Sequence, residues 1–132
     1  MLSVSPHATM HRAARRILLV DDDAGLRTSL ALLLTADGHR AIEAAGGEEA
    51  LGLLGQTQVD LVITDLEMAG VSGWDVVRAA KDRSPSLPVI LLTGWGDQAA
   101  TAAPAATDVD AMLAKPFQLE AFLRLVTEYT RD

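Results

Sequence analysis

Residues 17–23 read ILLVDDD, four apolar residues followed by three carboxylates. A run that is apolar throughout, instead of alternating with polar residues, is typical of a strand in a parallel sheet that is covered on both faces. Residues 61–65 (LVITD) and 88–93 (PVILLT) repeat the pattern and also end in a polar side chain. The sequence therefore predicts several buried parallel strands with reactive groups at their ends.

The segments between these strands have the periodicity of amphipathic helices. After the first strand, apolar residues recur at helical spacing at Leu26, Leu30, Leu33 and Leu34. Gly38 follows them as a helix stop. A second helix is expected to open at residues 46–49, and a third at residues 72–75, which read as a capping box, and to continue to about Lys81. A last helix is expected from the apolar positions 119, 122, 123 and 126.

The order of elements predicts the fold class. Two weaker strands, at residues 40–44 and 111–114, bring the total to five, and each strand is followed by a helical or helix-like segment. This alternation implies a doubly wound α/β fold with a five-stranded parallel sheet and right-handed crossovers. Residues 98–107 are alanine-rich and contain Pro104, so we expect a short or broken helix there.

Length and composition narrow the class of protein. The chain has 132 residues, no cysteine and a formal net charge of −7, which together predict one domain without disulfides or thiolate metal sites. We interpret residues 1–14 as a flexible tail and residues 15–132 as the domain. The acidic balance argues against a nucleic-acid surface. The apolar runs are too short to span a membrane and residues 1–16 lack a secretory core, so we expect a cytoplasmic protein.

The ends of the parallel strands predict a site. In open parallel sheets, ligands bind outside the carboxyl ends of the strands. The polar residues that follow the strands share this edge: Asp21, Asp22, Asp23, Asp65, Thr93 and Lys115. Clustered carboxylates need a positive charge among them to stay ionised, and Mg²⁺ suits such oxygen ligands. A metal, an ammonium and a hydroxyl around one carboxylate are what phosphoryl transfer to that carboxylate requires.

Four blocks of the chain resemble the receiver domains of two-component response regulators. They are residues 20–23 (VDDD), 64–68 (TDLEM, with Gly73 beyond), 92–94 (LTG) and 115–117 (KPF). The resemblance runs from about residue 16 to residue 129. It implies a flavodoxin-like (βα)5 fold with strand order 2-1-3-4-5. It also implies that the Lys115–Pro116 peptide bond is cis.

The same resemblance implies a role for each site residue. Asp65 corresponds to the phosphoacceptor, Thr93 to the switch hydroxyl and Lys115 to the residue that pairs with the phosphoryl group. Asp21 and Asp22 correspond to the acidic pair that binds Mg²⁺ (or Mn²⁺) together with Asp65 and the backbone carbonyl of Glu67. Asp23 lies just past this pair, and we expect it to cap the following helix.

The chain departs from the family pattern at several positions. Met112 stands where the family has an aromatic switch residue, and we expect it to fill the core. Ala69 replaces a frequent proline, which should loosen its loop slightly. The resemblance also implies that Glu67 and Trp95 flank the route of the water that hydrolyses the acyl phosphate. We expect Trp95 to shield the phosphoryl group and Glu67 to point outward, because its charge repels the phosphoryl oxygens.

The function implied by the resemblance is that of a phosphoryl-accepting receiver, not an enzyme. It would take phosphate from a sensor histidine kinase or a histidine phosphotransfer protein. It would switch an unidentified output partner through the face made by residues 98–107, residues 111–114 and the last helix, with no output domain in this chain. Two alternatives stay open: a pseudo-receiver that binds partners without phosphorylation, and a phosphatase of the haloacid dehalogenase type. The phosphatase motif needs aspartate where Glu67 stands.

Overall fold

The computed structural model describes residues 14–94 and 109–131. Within these residues the elements are β1 (Arg16–Val20), α1 (Ala24–Ala36), β2 (Arg40–Ala44), α2 (Gly47–Gln56), β3 (Leu61–Asp65), α3 (Gly73–Arg83), β4 (Val89–Thr93), β5 (Ala111–Ala114) and α4 (Leu119–Thr130). The five strands form one parallel sheet in the order β2-β1-β3-β4-β5. This confirms the predicted fold class and strand order. Trp95 and the broken helix expected at residues 98–107 lie outside the described residues.

Alternate residues of the central strands face two separate cores, because successive side chains of a strand point to opposite faces of the sheet. One face packs against α2 and α3, and its largest buried strand residues are Leu18, Val20, Val62, Val89 and Leu91. The other face packs against α1 and α4 through Ile17, Leu19, Leu61, Ile63, Ile90 and Leu92. Helices on both faces explain why these strands are apolar throughout.

The helix termini follow from local sequence. Asp23 caps α1, and its side chain accepts a hydrogen bond from the Leu26 backbone N–H at 3.2 Å, as predicted. Gly38 follows α1 with φ +93°, a conformation that L side chains rarely adopt. The capping box at the start of α3 is present, with the Asp75 carboxylate accepting from the Ser72 backbone N–H at 3.2 Å. α3 ends at Arg83, two residues beyond the predicted end.

The strand register brings the polar strand ends together. Val20 of β1 pairs with Thr64 of β3, so the next residues, Asp21 and Asp65, leave the sheet at the same level. Asp65 pairs with Leu92 of β4, and the residue after Leu92 is Thr93. Because all neighbouring strands are parallel, these residues share one edge of the sheet. We refer to this edge as the carboxyl edge.

Candidate functional site

Three carboxylates meet at the carboxyl edge. Asp21, Asp22 and Asp65 each have an oxygen within 4.8 Å of the others. Asp21 and Asp65 are buried, with 0% and 3% of their surface exposed, whereas Asp22 is exposed. Two buried carboxylates this close repel each other unless positive charge lies nearby. The cluster was predicted from the strand ends.

Lys115 supplies positive charge to the two buried carboxylates. Its Nζ lies 3.0 Å from Asp65 Oδ1 and 3.4 Å from Asp21 Oδ2. The backbone N–H of Lys115 donates to the Thr93 carbonyl at 2.7 Å, which ties the residue to the end of β4. The Lys115–Pro116 peptide bond is cis, as the resemblance implied.

The ionisation of Asp65 reflects its surroundings. Burial raises the pKa of Asp65 from 3.8 to about 6, and the negative charges of Asp21 and Glu67 act in the same direction, against the contact with Lys115. Burial acts to lower the pKa of Lys115, but its contacts with Asp65 and Asp21 outweigh burial and raise it. At neutral pH, Asp65 is therefore mostly an anion paired with a protonated lysine.

Asp21 is held in place by groups that the sequence did not reveal. Its Oδ1 accepts a hydrogen bond from the Asp23 backbone N–H at 2.9 Å. Its backbone carbonyl accepts one from Arg27 Nη1 at 2.7 Å, and Arg27 Nε also pairs with Glu43 at 3.1 Å. Arg27 is therefore a positioning residue for the acidic cluster. Its place one turn into α1 carries no sequence signal that separates it from any exposed arginine.

Gly73 allows α3 to start directly against the end of β3. A Cβ atom added at Gly73 would lie 2.3 Å from the backbone oxygen of Asp65 and 2.7 Å from Leu66 Cα. The Gly73 N–H donates to the Leu66 carbonyl at 3.1 Å. A side chain here would push the loop after Asp65 away from the sheet. The sequence comparison included Gly73 only as part of a motif, and the structure supplies the physical reason.

Thr93 and Glu67 contact each other, an arrangement that the sequence did not predict. Thr93 is buried at the end of β4, and its Oγ1 donates to Glu67 Oε2 at 2.9 Å. The Gly94 backbone N–H donates to Glu67 Oε1 at 2.8 Å. In the chain without a phosphoryl group, the Glu67 side chain therefore points toward the end of β4, because two neutral donors attract its carboxylate. The expectation that Glu67 points outward rests on repulsion by a bound phosphoryl group and stays a prediction for the phosphorylated state.

The site residues fit a hard divalent cation. Their donors are carboxylate oxygens, the ligands that Mg²⁺ prefers in proteins. Asp65 Oδ1 is buried, and among the described residues it has no hydrogen bond of acceptable geometry, although Lys115 pairs with it. A buried, incompletely satisfied anionic oxygen is a natural ligand atom. The donor set therefore fits the expected metal, without cysteine or clustered histidine that would favour zinc.

Two apolar residues that could be mistaken for functional ones pack in the core. Trp74, at the start of α3, is partly buried against the core on the α2–α3 side. Met112 of β5 packs against the same core and pairs in register with Leu91. Its placement agrees with the expected role as core filler.

Comparison with known proteins identifies the family. Residues 17–127 match the model of the response regulator receiver domain. The chain belongs to this family. The receiver domain is 38% identical to the transcriptional regulatory protein AfsQ1 of Streptomyces coelicolor over 113 residues, which are 83% of this chain and 50% of AfsQ1. The chain thus spans about half the length of this relative, and less of others.

Solved structures agree with this assignment. The chemotaxis protein CheY4 of Vibrio cholerae superposes with a TM-score of 0.81 at 26% identity, covering 89% of this chain and 99% of CheY4. The response regulator TrrA of Thermotoga maritima, solved in complex with Mg²⁺ and BeF, gives a TM-score of 0.74 at 32% identity, covering 87% of this chain and 98% of TrrA. Within residues 14–94 and 109–131, no helix is long and apolar enough to cross a bilayer.

Proposed function

We propose that this receiver domain accepts a phosphoryl group on Asp65 and thereby changes its affinity for a partner. The observation that carries the proposal is the arrangement around Asp65. Its buried carboxylate ends a central strand, Lys115 lies 3.0 Å away, and Asp21 and Asp22 complete an acidic cluster. The site therefore combines a nucleophilic carboxylate with a fixed positive charge.

The chemistry that suits this arrangement is transfer from a phosphorylated histidine. An oxygen of the ionised Asp65 attacks phosphorus, the phosphorus–nitrogen bond breaks, and the imidazole nitrogen of the donor takes the bonding pair and a proton. The Lys115 ammonium neutralises charge on the phosphoryl oxygens. The Thr93 hydroxyl binds one of these oxygens in the product. The chain acts as acceptor and performs no catalytic turnover beyond slow loss of its own phosphate.

The proposal includes a divalent metal. Asp21, Asp22 and Asp65, with the backbone carbonyl of Glu67, would hold Mg²⁺ or Mn²⁺. When bound, the ion supplies positive charge that neutralises phosphoryl oxygens during transfer. The oxygen-only donor set supports this assignment, as does TrrA, a relative that holds Mg²⁺ together with BeF.

The proposed partners are a phosphodonor and an output protein. The donor is a sensor histidine kinase or a histidine phosphotransfer protein. The output partner binds the face that contains β5 and α4. This face is connected to the site because β5 pairs with β4, with Ala114 opposite Thr93.

The proposal is tested by labelling with acetyl phosphate. With Mg²⁺, intact mass should show one added phosphoryl group on the parent chain and none on Asp65→Asn. Asp23→Asn is the matched control, because asparagine caps a helix as well as aspartate does. It should be labelled like the parent. Equal labelling of Asp65→Asn would refute the phosphoacceptor assignment, and no labelling of the parent, even by a panel of phosphorylated kinases, would favour a pseudo-receiver.

The same experiment tests the metal. Asp22→Ala removes one proposed ligand that is exposed and whose contact to the Ala69 N–H is long, at 3.4 Å, so the fold should tolerate it. The Mg²⁺ concentration that gives half-maximal labelling should rise about tenfold or more, equivalent to about 1.4 kcal/mol. An unchanged Mg²⁺ requirement would remove Asp22 from the ligand set.

A further inference from the structure

Glu67 occupies two donors beside the phosphoacceptor. Its carboxylate oxygens accept from the Thr93 hydroxyl at 2.9 Å and from the Gly94 backbone N–H at 2.8 Å, one donor to each oxygen. The side chain is half-buried, and its charge is close enough to raise the pKa of Asp65. A bidentate contact of this kind fixes the position of the carboxylate.

The two donors lie where a phosphoryl group on Asp65 needs them. Thr93 follows Leu92, the residue that pairs with Asp65 across the sheet, and Gly94 comes next. On the other side of β4, Thr93 pairs with Ala114, the residue before Lys115. A phosphoryl group has several anionic oxygens that accept hydrogen bonds, as a carboxylate does. The Glu67 carboxylate therefore resembles the group that this edge is built to receive.

We propose that Glu67 acts as an internal competitor of the phosphoryl group. In the unphosphorylated chain its carboxylate holds the Thr93 hydroxyl and the Gly94 N–H, a contact we call the Glu67 latch. Phosphorylation of Asp65 has to displace it, because two anions cannot share the same donors. The inference rests on the proposed function and adds a positioning residue that sets how readily the phosphorylated state forms.

The latch predicts a change in the binding of a phosphoryl mimic. Beryllofluoride is titrated at fixed Mg²⁺ into isotope-labelled protein while the backbone amide signals are followed. Glu67→Ala should bind beryllofluoride about tenfold more tightly than the parent. Glu48→Ala is the control for net charge, because Glu48 is exposed in the first turn of α2. It should bind like the parent.

A second variant separates the latch from simple charge repulsion. Glu67→Asp keeps the negative charge but is one methylene shorter, so its carboxylate does not reach both donors. The latch predicts that Glu67→Asp gains most of the affinity seen in Glu67→Ala. In metal-free protein, the Gly94 amide proton should move upfield in both variants, because a short hydrogen bond to a carboxylate is lost.

Three outcomes overturn the inference. The first is an unchanged beryllofluoride affinity in Glu67→Ala. The second is a gain of affinity in Glu67→Ala while Glu67→Asp binds like the parent. The third is a Gly94 amide signal that does not move in either variant. Failure of the proposed function looks different, since the parent itself would then bind no beryllofluoride and take no label on Asp65. If the parent is labelled on Asp65 and the Glu67 variants bind beryllofluoride with the same affinity as the parent, the latch is refuted and the proposed function is not.

Discussion

The two sides of Asp65 hold their carboxylates in opposite ways. On one side, Lys115 pairs with Asp21 and Asp65, so one full positive charge lies between the two anions. On the other side, the Glu67 carboxylate is held by two neutral donors, the hydroxyl of Thr93 and the N–H of Gly94. We call these the lysine side and the hydroxyl side.

The lysine side and the hydroxyl side therefore differ in the groups that stabilise their carboxylates. On the lysine side, Lys115 lies between two buried carboxylates, so we expect its charge to matter for stability. The hydroxyl side is closed by the half-buried Glu67 side chain, and the Thr93 hydroxyl and Gly94 N–H can donate to any anionic oxygen. Under the latch proposal, Glu67 leaves these donors when Asp65 is phosphorylated. The variants below test whether the two sides are indeed unequal.

The largest effect is expected on the lysine side. Lys115→Met removes the cation and leaves the buried Asp21 and Asp65 facing each other, so the free energy of unfolding at pH 7 without metal should fall by about 2–3 kcal/mol. Urea unfolding measures it. Lys81→Met is the comparison, because its partner carboxylate, Asp110, is 32% exposed whereas Asp21 and Asp65 are buried, and it should cost about 1 kcal/mol. Equal losses would show that burial does not distinguish the two pairs.

The charge of Asp65 itself should destabilise the metal-free chain. Its folded pKa of about 6 lies above 3.8, so the unfolded chain releases this proton first as the pH rises. Stability is therefore lost between about pH 4 and pH 6 and stays lower above that. At pH 7, Asp65→Asn should be more stable than the parent by about 2 kcal/mol, below the ceiling of about 3 kcal/mol that this shift sets.

Urea unfolding of both proteins at pH 4 and pH 7 in a chelator tests this sign. The difference should be largest at pH 7 and should shrink toward pH 4, where the parent is mostly protonated in its folded state. Mg²⁺ should reverse the order at pH 7, because it stabilises only the chain that binds it well. A parent that is more stable than Asp65→Asn at pH 7 without metal would show that the contact with Lys115 outweighs burial.

Most of the fold could be predicted from the sequence because it is encoded locally. The buried strands are continuous apolar runs, and the N-cap residues Asp23 and Ser72 indicate where two helices begin. The end of α3 was placed two residues early although a signal existed. Ser84 precedes Pro85, and the residue before proline avoids helical backbone, so the helix can run to Arg83 and no further.

The candidate site was predicted less completely, for a physical reason. The meeting of Asp21, Asp65 and Lys115 follows from parallel topology alone, since parallel strands end at the same edge. The contacts of Arg27 with Asp21 and of Glu67 with Thr93 depend on side-chain direction in loops and helices, which no spacing rule encodes. The contact of Glu67 was not predicted because the expectation weighed repulsion by a bound phosphoryl group and not the donors available nearby.

The smallest effect is expected on the hydroxyl side, beyond Thr93. Met112 pairs with Leu91, two residues before Thr93 on the same face of β4, and packs in the core on the α2–α3 side. Methionine is flexible and has no polar group to hold a fixed position, so it should transmit little of a change at Thr93. Met112→Leu conserves volume and should alter the free energy of unfolding by less than about 1.5 kcal/mol.

The same substitution should leave beryllofluoride affinity within about twofold of the parent, which corresponds to about 0.4 kcal/mol. Glu67 alone would then set how strongly the phosphoryl mimic competes for the Thr93 and Gly94 donors, and the packing of β5 would not affect this competition. A tenfold change in Met112→Leu, by contrast, would mean that the core beneath Thr93 sets the switch together with Glu67. In that case binding on the hydroxyl side would depend on packing in the core as well as on Glu67. The proposed difference between the hydroxyl side and the lysine side would then be wrong.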